Sequence, residues 1–264
     1  MTELPVGKAH AYGNDFLFVA ASHAEGDAAA LARRLCDRHS GIGGDGLILF
    51  ELRDRGATMR LLNADGSPSE LSGNGLRCLA ALVVRRQRLP TGTVITIATD
   101  AGAKTLDLLA TDGERYTFRA ALGPPADLRQ AEVSVLGETV TASILSIGNP
   151  QCVVLGPLPD ADRFNRFGPA LSTHPMFPAG TNVEFAHVES PDQVRIMIWE
   201  RGVGPTTSSG TGSAASAVAA AAYAGAHRGV DVIAPGGSQR VEWRDDGVYL
   251  TGWAEVLFEG TALF

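Results

Sequence analysis

Two short Ser-Gly-x-Gly sequences are the strongest candidates for chemistry in this chain of 264 residues. Residues 72–75 read Ser-Gly-Asn-Gly and residues 209–212 read Ser-Gly-Thr-Gly, and each precedes a stretch of helical character. A helix N-terminus carries backbone N–H groups and a partial positive charge, so it binds carboxylate or phosphate groups. Glycine allows a ligand to approach the backbone closely. Both turns are therefore predicted to bind an anionic group and to stabilise negative charge that develops beside it.

A carboxylate fits these two turns better than a phosphate does. Neither turn is followed by the Gly-Lys-Ser/Thr of a P-loop, and neither has the Gly-x-Gly-x-x-Gly spacing of a dinucleotide-binding loop. Serine is also a common N-cap, so the alternative interpretation of Ser72 and Ser209 is purely structural. Other features of the sequence are needed to choose between an anion-binding role and a purely structural one.

Two helices are predicted to position these turns. The first begins near Ser72 and runs towards Leu89. Its apolar residues recur at spacings of three and four, which places them on one face. These residues are Leu76, Leu79, Ala80 and Val83. The second helix begins near Ser209 and runs to about Ala226. Its alanine and other small residues favour close packing and burial.

The two halves of the chain repeat each other. The two serines that open the helices are 137 residues apart, and short strands rich in branched residues occur in both halves, for example at 93–99 and 193–199. Three further pairs of segments repeat in the same order at nearly the same separation: 13–15 and 148–150, 44–45 and 180–181, 59–63 and 196–200. Such a repeat indicates an internal duplication with two similar domains. If the domains pack about a pseudo-twofold axis, both turns are expected to face one cleft.

The motifs resemble those of the diaminopimelate epimerase family through most of the chain. Their order and spacing both match that family. They are Gly-Asn-Asp-Phe at 13–16, Cys-Asp-Arg-His at 36–39, Gly-Ile-Gly-Gly-Asp-Gly at 41–46, Asn-Ala-Asp-Gly at 63–66, Gly-Asn-Pro at 148–150, Gly-Thr-Asn at 180–182 and Glu-Arg-Gly-Val-Gly at 200–204, together with the two serine turns.

The resemblance implies an α+β fold of two pseudo-symmetric, diaminopimelate epimerase-like domains. Each is expected to be a β-barrel-like sheet around a central helix. The N-terminal half is expected over residues 1–112, completed by 255–264, and the C-terminal half over 113–254. The implied activity is inversion of the α-carbon of diaminopimelate or a similar amino acid, in lysine and peptidoglycan precursor synthesis, without pyridoxal phosphate, metal or other cofactor. In that family one cysteine thiolate removes the α-proton and a second thiol delivers a proton to the opposite face.

The resemblance also implies which residues bind the substrate. Backbone N–H groups that would hold the reacting carboxylate belong to Gly73, Asn74, Gly210 and Thr211. Side chains that would hold the far carboxylate belong to Asn63, Asn149, Asn182 and Arg201. Glu200 would hold the ammonium group and Asn14 would line the cleft. Arg201 suits its role because a guanidinium forms paired, charge-assisted hydrogen bonds with a carboxylate.

The acid/base positions depart from the family pattern. Ser72 and Ser209 stand where the family has its two catalytic cysteines, so they are the candidate catalytic residues. Gln151 follows Pro150 where the family has a histidine, and Pro205 replaces a glutamate common in the family. A hydroxyl is a weak proton acceptor without an adjacent base. We therefore expect proton transfer to be slower by several orders of magnitude than with thiols.

Two origins of the serines stay open, and so do three functions. Either two cysteines were replaced by these serines to trap a substrate, or the chain diverged naturally. Gln151 and Pro205 favour divergence, since a trap would not need them. The chain is then an epimerase that uses both hydroxyls, a binding protein that has lost catalysis, or an isomerase of another small acid with a carboxylate base. Candidates for that base are Asp15, Asp45, Asp65 and Glu70.

Composition excludes several other classes of protein. The net charge is −7 and no Lys/Arg run forms a basic patch, which argues against nucleic acid as a partner. Three widely spaced cysteines form neither a disulfide framework nor a zinc site. The first residues lack the pattern of a secretory signal, and no apolar run has membrane-spanning length. We expect a cytoplasmic enzyme of a small amino-acid substrate, with no membrane or metal; a homodimer is compatible with the sequence.

Overall fold

The computed structural model describes residues 3–24, 26–69, 72–100 and 102–263, and it divides into two compact units. Unit 1 comprises Met1–Ala120 with Gly252–Phe264, and unit 2 comprises Ala121–Thr251. Among the helices in the described ranges, none combines the length and apolar composition needed to cross a membrane.

Unit 1 is a closed β-barrel around a helix. Its elements are β1 (Glu3–Ala11), β2 (Asn14–Ala20), α1 (Ala28–Cys36), β3 (Gly46–Arg53), β4 (Gly56–Asn63), β5 (Pro68–Ser69), α2 (Gly73–Gln87), β6 (Val94–Thr99), β7 (Gly102–Asp112), β8 (Arg115–Gly123) and the C-terminal part of β17 (Gly247–Leu263), with a 3₁₀ turn at Ala21–His23. Neighbours pair in the order β1-β2-β3-β4-β6-β7-β8-β17, and β17 returns to β1. The pairs β2–β3 and β4–β6 are parallel.

Helix α2 forms the core of this barrel. The predicted apolar face is confirmed, since Leu79, Ala80 and Val83 are fully buried. Cys78 and Leu82, on other sides of the helix, are buried as well. A helix enclosed by a barrel has no solvent side, and burial on all sides follows from that.

Unit 2 repeats this order of elements. It contains β9 (Ala126–Val135), β10 (Glu138–Ser146), β11 (Pro150–Leu155), α3 (Ala161–Ser172), β12 (Asn182–Ser190), β13 (Gln193–Glu200), β14 (Gly204–Thr206), α4 (Gly210–Tyr223), β15 (Gly229–Ala234) and β16 (Gly237–Arg244), which pairs with the first residues of β17. Its parallel pairs β11–β12 and β13–β15 occupy the places of β2–β3 and β4–β6. Strands β4 and β13 both have eight residues. The predicted two-domain α+β fold with an internal repeat is confirmed.

Helix α4 is the counterpart of α2. Its alanine residues from Ala214 to Ala220 are fully buried or nearly so, and strands of unit 2 contact it on several sides. Small side chains let the backbone of the helix approach the surrounding strands closely. The composition of this segment therefore predicts its burial correctly.

The boundary between the units lies within β8, the second strand of a hairpin. Strands β7 and β8 pair antiparallel from Asp112↔Arg115 to Leu106↔Ala120, which keeps β8 with unit 1 as far as Ala120. The sequence prediction divided the halves after residue 112, at the end of β7. Unit 1 extends past residue 112 to Ala120 because β8 pairs with β7.

Candidate active site

The two serine turns have the same local geometry. Ser72 has extended backbone angles, φ −128° and ψ 122°, and its Oγ accepts a hydrogen bond of 3.1 Å from the N–H of Gly75. Ser209 has φ −136° and ψ 126°, and its Oγ accepts a hydrogen bond of 3.1 Å from Gly212 N–H. Each serine is thus the N-cap of its helix. The structural interpretation is confirmed, and it is compatible with a second, chemical role.

Each turn is suited to hold an anion. The first N–H groups of a helix have no intrahelical acceptor and lie at its partially positive end. Ser72 is half-buried and Ser209 is buried, so both hydroxyls lie in partly dry surroundings. Each Oγ accepts a backbone hydrogen bond, which leaves the hydroxyl hydrogen for another partner. Each hydroxyl can therefore donate a hydrogen bond to a bound ligand.

A chain of hydrogen bonds fixes the side chains beside Ser72. The buried Arg77 donates to Asn74 Oδ1, Asn74 Nδ2 donates to Asn14 Oδ1 at 3.1 Å, and Asn14 Nδ2 donates to Asp45 Oδ2 at 2.7 Å. Arg38 Nη2 also donates to Asp45, at 2.8 Å. Asn14 and Asn74 lie together, and the side-chain carbonyl oxygen of each already accepts a hydrogen bond, that of Asn14 from Asn74 and that of Asn74 from Arg77.

Asn63 is the last residue of β4 and is exposed. Its Nδ2 donates to Ser67 Oγ at 3.0 Å, and its backbone N–H donates to the Ser67 carbonyl at 2.8 Å. Asn63 therefore closes a local turn. To bind the far carboxylate as well, Asn63 would have to use the second N–H of its side-chain amide.

Asn182, Glu200 and Arg201 lie together in unit 2. Arg201 N–H donates to Asn182 Oδ1 at 2.9 Å, and Arg201 Nη1 donates to the Ala179 carbonyl at 2.9 Å. Thr206 Oγ1 donates to Glu200 Oε1 at 3.2 Å. A guanidinium has five N–H donors, so the contact with Ala179 leaves several with which Arg201 can bind a carboxylate.

Asn149 belongs to a second polar group, which lies next to Ser209. One terminal atom of the Gln151 amide lies 2.6 Å from Asn149 Oδ1 and 3.1 Å from Thr211 Oγ1. The other terminal atom lies 3.1 and 3.3 Å from the two oxygens of Glu184. Gln151 and Glu184 are completely buried. A Cβ atom on Gly212 would lie 2.5 Å from Glu184 Oε1 and 3.1 Å from Ser209 Oγ, so those two oxygens flank one small space.

Glu184 is a functional candidate that the sequence interpretation missed. It lies two residues after Asn182 on β12, so both side chains point to the same face of the strand. Burial raises the pKa of the Glu184 carboxyl well above its usual range, and the neighbouring Glu200 raises it further. A glutamate within the otherwise apolar run Val-Glu-Phe was the available signal.

None of the three cysteines takes the place of the serines. All three thiols are buried and free. Burial raises the pKa of Cys36 to about 11 and that of Cys152 to about 12, and it also raises the pKa of Cys78. Thiols with such pKa values stay protonated at neutral pH and do not act as bases. Cys78 and Cys152 are fully buried in the cores of their units.

The candidate carboxylate bases of unit 1 are bound to other groups. Lys8 and Arg38 form ion pairs with Asp15, and Arg38 and Asn14 bind Asp45. Hydrogen bonds from Ser67 lower the pKa of Asp65. Glu70 lies outside the described residues. Within the described residues there is no group of three or more His, Cys, Asp or Glu that could hold a metal ion.

Comparison with known proteins gives a consistent result. The family model described as diaminopimelate epimerase matches residues 6–125 and 143–257. The diaminopimelate epimerase of Desulforudis audaxviator is 43% identical over 277 residues, covering 96% of this chain and 97% of that protein. The enzyme of the same name from Desulfitobacterium hafniense is 39% identical, covering 98% of both chains.

Solved structures of more distant sequence share the fold. A protein described as a predicted epimerase from Pseudomonas aeruginosa matches with a TM-score of 0.75 at 15% identity, covering 99% of each chain. A hydroxyproline epimerase from Agrobacterium vitis matches with a TM-score of 0.68 at 16% identity, covering 99% of this chain and 91% of that one.

Proposed function

The chain belongs to the diaminopimelate epimerase family, and we propose that it inverts the α-carbon of diaminopimelate or of a similar dicarboxylic amino acid. The observation that carries this proposal is the pair of serine-capped helix starts with the same geometry, one in each unit. No cofactor takes part in the proposed reaction. A cytoplasmic location stays a prediction, as does a homodimer, which sedimentation analysis would test.

The proposed binding roles follow the chemistry of each group. The N–H groups at the two helix starts (Gly73, Asn74, Gly210 and Thr211) hold the reacting carboxylate. They also stabilise the negative charge that develops on it when the α-proton leaves, a contribution that preorganised donors make efficiently. Arg201, with Asn63, Asn149 and Asn182, holds the far carboxylate. Glu200 accepts from the substrate ammonium group, and Asn14 lines the site with its remaining amide N–H.

Ser72 and Ser209 are the proposed acid/base pair. Each hydroxyl lies at a helix N-terminus, which stabilises a partial negative charge on its oxygen. A hydroxyl is nevertheless a far weaker base than a thiolate, so the reaction is expected to be slow. Acid/base catalysis by a well-matched group contributes about 10²–10⁴-fold, and this is the gain we expect when thiols are restored.

Conversion of LL-diaminopimelate, followed by chromatography that resolves its stereoisomers, tests this proposal. Wild-type protein should form the meso isomer, while Ser72→Ala and Ser209→Ala should each remove the activity. Combining Ser72→Cys with Ser209→Cys should increase it. Ser216→Cys is the matched control, because this buried residue lies about two turns further along α4. Activity of both alanine variants equal to that of wild type would contradict the assigned roles.

The same serines also support an alternative, a binding protein without catalysis. N-capping alone would explain why the two serines have the same geometry. A binding protein would show thermal stabilisation by LL-diaminopimelate with no stereoisomer formed at any protein concentration. The activity of the double cysteine variant separates the two cases: activity there with none in wild type means that only the thiols are missing.

A further inference from the structure

Glu184 is a buried carboxyl group to which the proposed reaction gives no role. It is completely buried on β12, and its oxygens lie 3.1 and 3.3 Å from one terminal atom of the Gln151 amide. The other terminal atom of that amide lies 3.1 Å from Thr211 Oγ1 and 2.6 Å from Asn149 Oδ1. The Gln151 amide therefore connects the Glu184 carboxyl with Asn149 and Thr211 of the proposed binding site.

The direction of the Gln151 amide depends on the proton of Glu184. An ionised carboxylate only accepts hydrogen bonds, whereas a neutral carboxyl has one O–H donor. With ionised Glu184, the Gln151 N–H groups must point to Glu184, and its carbonyl then accepts from Thr211. With neutral Glu184, the carboxyl O–H donates to the Gln151 carbonyl. The Gln151 Nε2 then donates to Asn149 Oδ1, a hydrogen bond of 2.6 Å.

Three elements that pack against Glu184 bring titratable or partly charged groups close to it. Strand β11 brings the thiol of Cys152, which burial keeps protonated, and strand β13 brings the carboxyl of Glu200. Helix α4 brings its first turn, at Gly212, and the partial positive charge of this helix end favours the ionised form. Complete burial and the neighbouring Glu200 both favour the neutral form and raise the pKa of Glu184 well above its usual range.

We propose that Glu184 is a positioning residue whose proton sets the direction of the hydrogen bonds at the start of α4. While Glu184 is neutral, Thr211 Oγ1 accepts from Gln151, and its own O–H donates to the bound carboxylate. When Glu184 loses its proton at higher pH, the amide turns over and Thr211 donates to Gln151 instead. The site then loses one donor to the ligand and gains a negative charge close to it. This effect on the ligand rests on the proposed function. The protonation of Glu184 and the direction of the Gln151 amide do not depend on it.

Infrared difference spectra between wild type and Glu184→Gln test the proton directly and without activity. At neutral pH the wild type should show the C=O band of a protonated carboxylic acid that the variant lacks. As pH rises, that band should be replaced by carboxylate bands. Carboxylate bands at neutral pH would overturn the proposal, and so would an acid band that persists wherever the protein stays folded. Glu189→Gln, on the same strand and paired with Arg195, is the matched control and should leave the acid band in place.

Ligand binding then tests the effect on Thr211. Thermal stabilisation by LL-diaminopimelate should fall in wild type over the pH range in which the acid band disappears. Glu184→Gln keeps a neutral side chain that donates to the Gln151 carbonyl, so its stabilisation should not change over that range. Gln151→Met removes the connecting amide. It should keep the acid band and weaken the pH dependence, leaving only the part that comes from the negative charge of Glu184. A pH dependence that is the same in all three proteins would overturn the proposed connection, and an absence of binding in all of them would refute the proposed function and leave the infrared result standing.

Discussion

Asp15 is expected to stabilise unit 1 in a manner that depends on pH. Its side chain is mostly buried and binds Lys8 Nζ at 2.8 Å and Arg38 Nη2 at 2.7 Å. Burial alone would raise the pKa of Asp15, but the hydrogen bonds and charges of Arg38 and Lys8 outweigh it and lower the pKa from 3.8 to about 2. The same Arg38 binds Asp45, so Asp15 also helps to place the acceptor of Asn14.

The size of the effect follows from this difference in pKa. A tenfold change in acidity corresponds to about 1.4 kcal/mol, so a carboxyl with these two pKa values adds about 2 kcal/mol to the free energy of unfolding at neutral pH. Because the pKa is lowered on folding, this contribution is present above a pH of about 4 and disappears as the pH falls towards 2. Asp15→Asn should therefore destabilise the protein at neutral pH and cost much less in acid.

Urea unfolding of wild type and Asp15→Asn at neutral pH and near the acid limit of the folded state measures this change. Asp107→Asn is the matched control, because Asp107 forms a more exposed ion pair with Arg119 in the same unit. Exposed pairs contribute about 0–1 kcal/mol, so the control should lose little at either pH. A loss for Asp15→Asn that is equally large at both pH values, or no larger than that of the control, would refute this reasoning.

Three further outcomes are expected. Gly212→Ala should destabilise unit 2 by about 1–3 kcal/mol in urea unfolding, since the new methyl group would lie 2.5 Å from Glu184 Oε1 and 3.1 Å from Ser209 Oγ; stability equal to wild type would contradict this contact. Gly73→Ala should unfold like wild type, because no atom of the described residues lies within 4 Å of its added methyl group, yet it should bind LL-diaminopimelate more weakly in thermal-shift titration. The three buried thiols should react with a maleimide only after unfolding, and rapid labelling of the native protein, detected by mass spectrometry, would show that a thiol is accessible.

Sequence patterns predict the main elements that position the site. Helices α2 and α4 begin where their serine caps indicate, and the repeat at 137 residues corresponds to the equal strands β4 and β13. Burial of α2 on every side could not be predicted from its spacing, because the closing pair β1–β17 depends on residues from opposite ends of the chain.

The hydrogen-bond partners of the polar side chains could not be predicted from the sequence. The hydrogen bond from Asn74 to Asn14 joins residues 60 positions apart. It exists because α2 lies inside the barrel next to the turn between β1 and β2. Glu184 was missed for a similar reason: its contact with Gln151 depends on the parallel register of β11 and β12, in which Gln151 pairs with Asn182.

The isomerase proposal is tested most directly by the hydrogen bound to the α-carbon. LL-diaminopimelate is incubated with the wild-type protein in deuterium oxide, and the meso product is examined by mass spectrometry and proton NMR. Proton removal on one face and delivery from solvent-exchanged Ser72 or Ser209 on the other predict one deuterium at the inverted α-carbon of each product molecule. Recovery of unconverted, undeuterated substrate at every protein concentration would contradict the account.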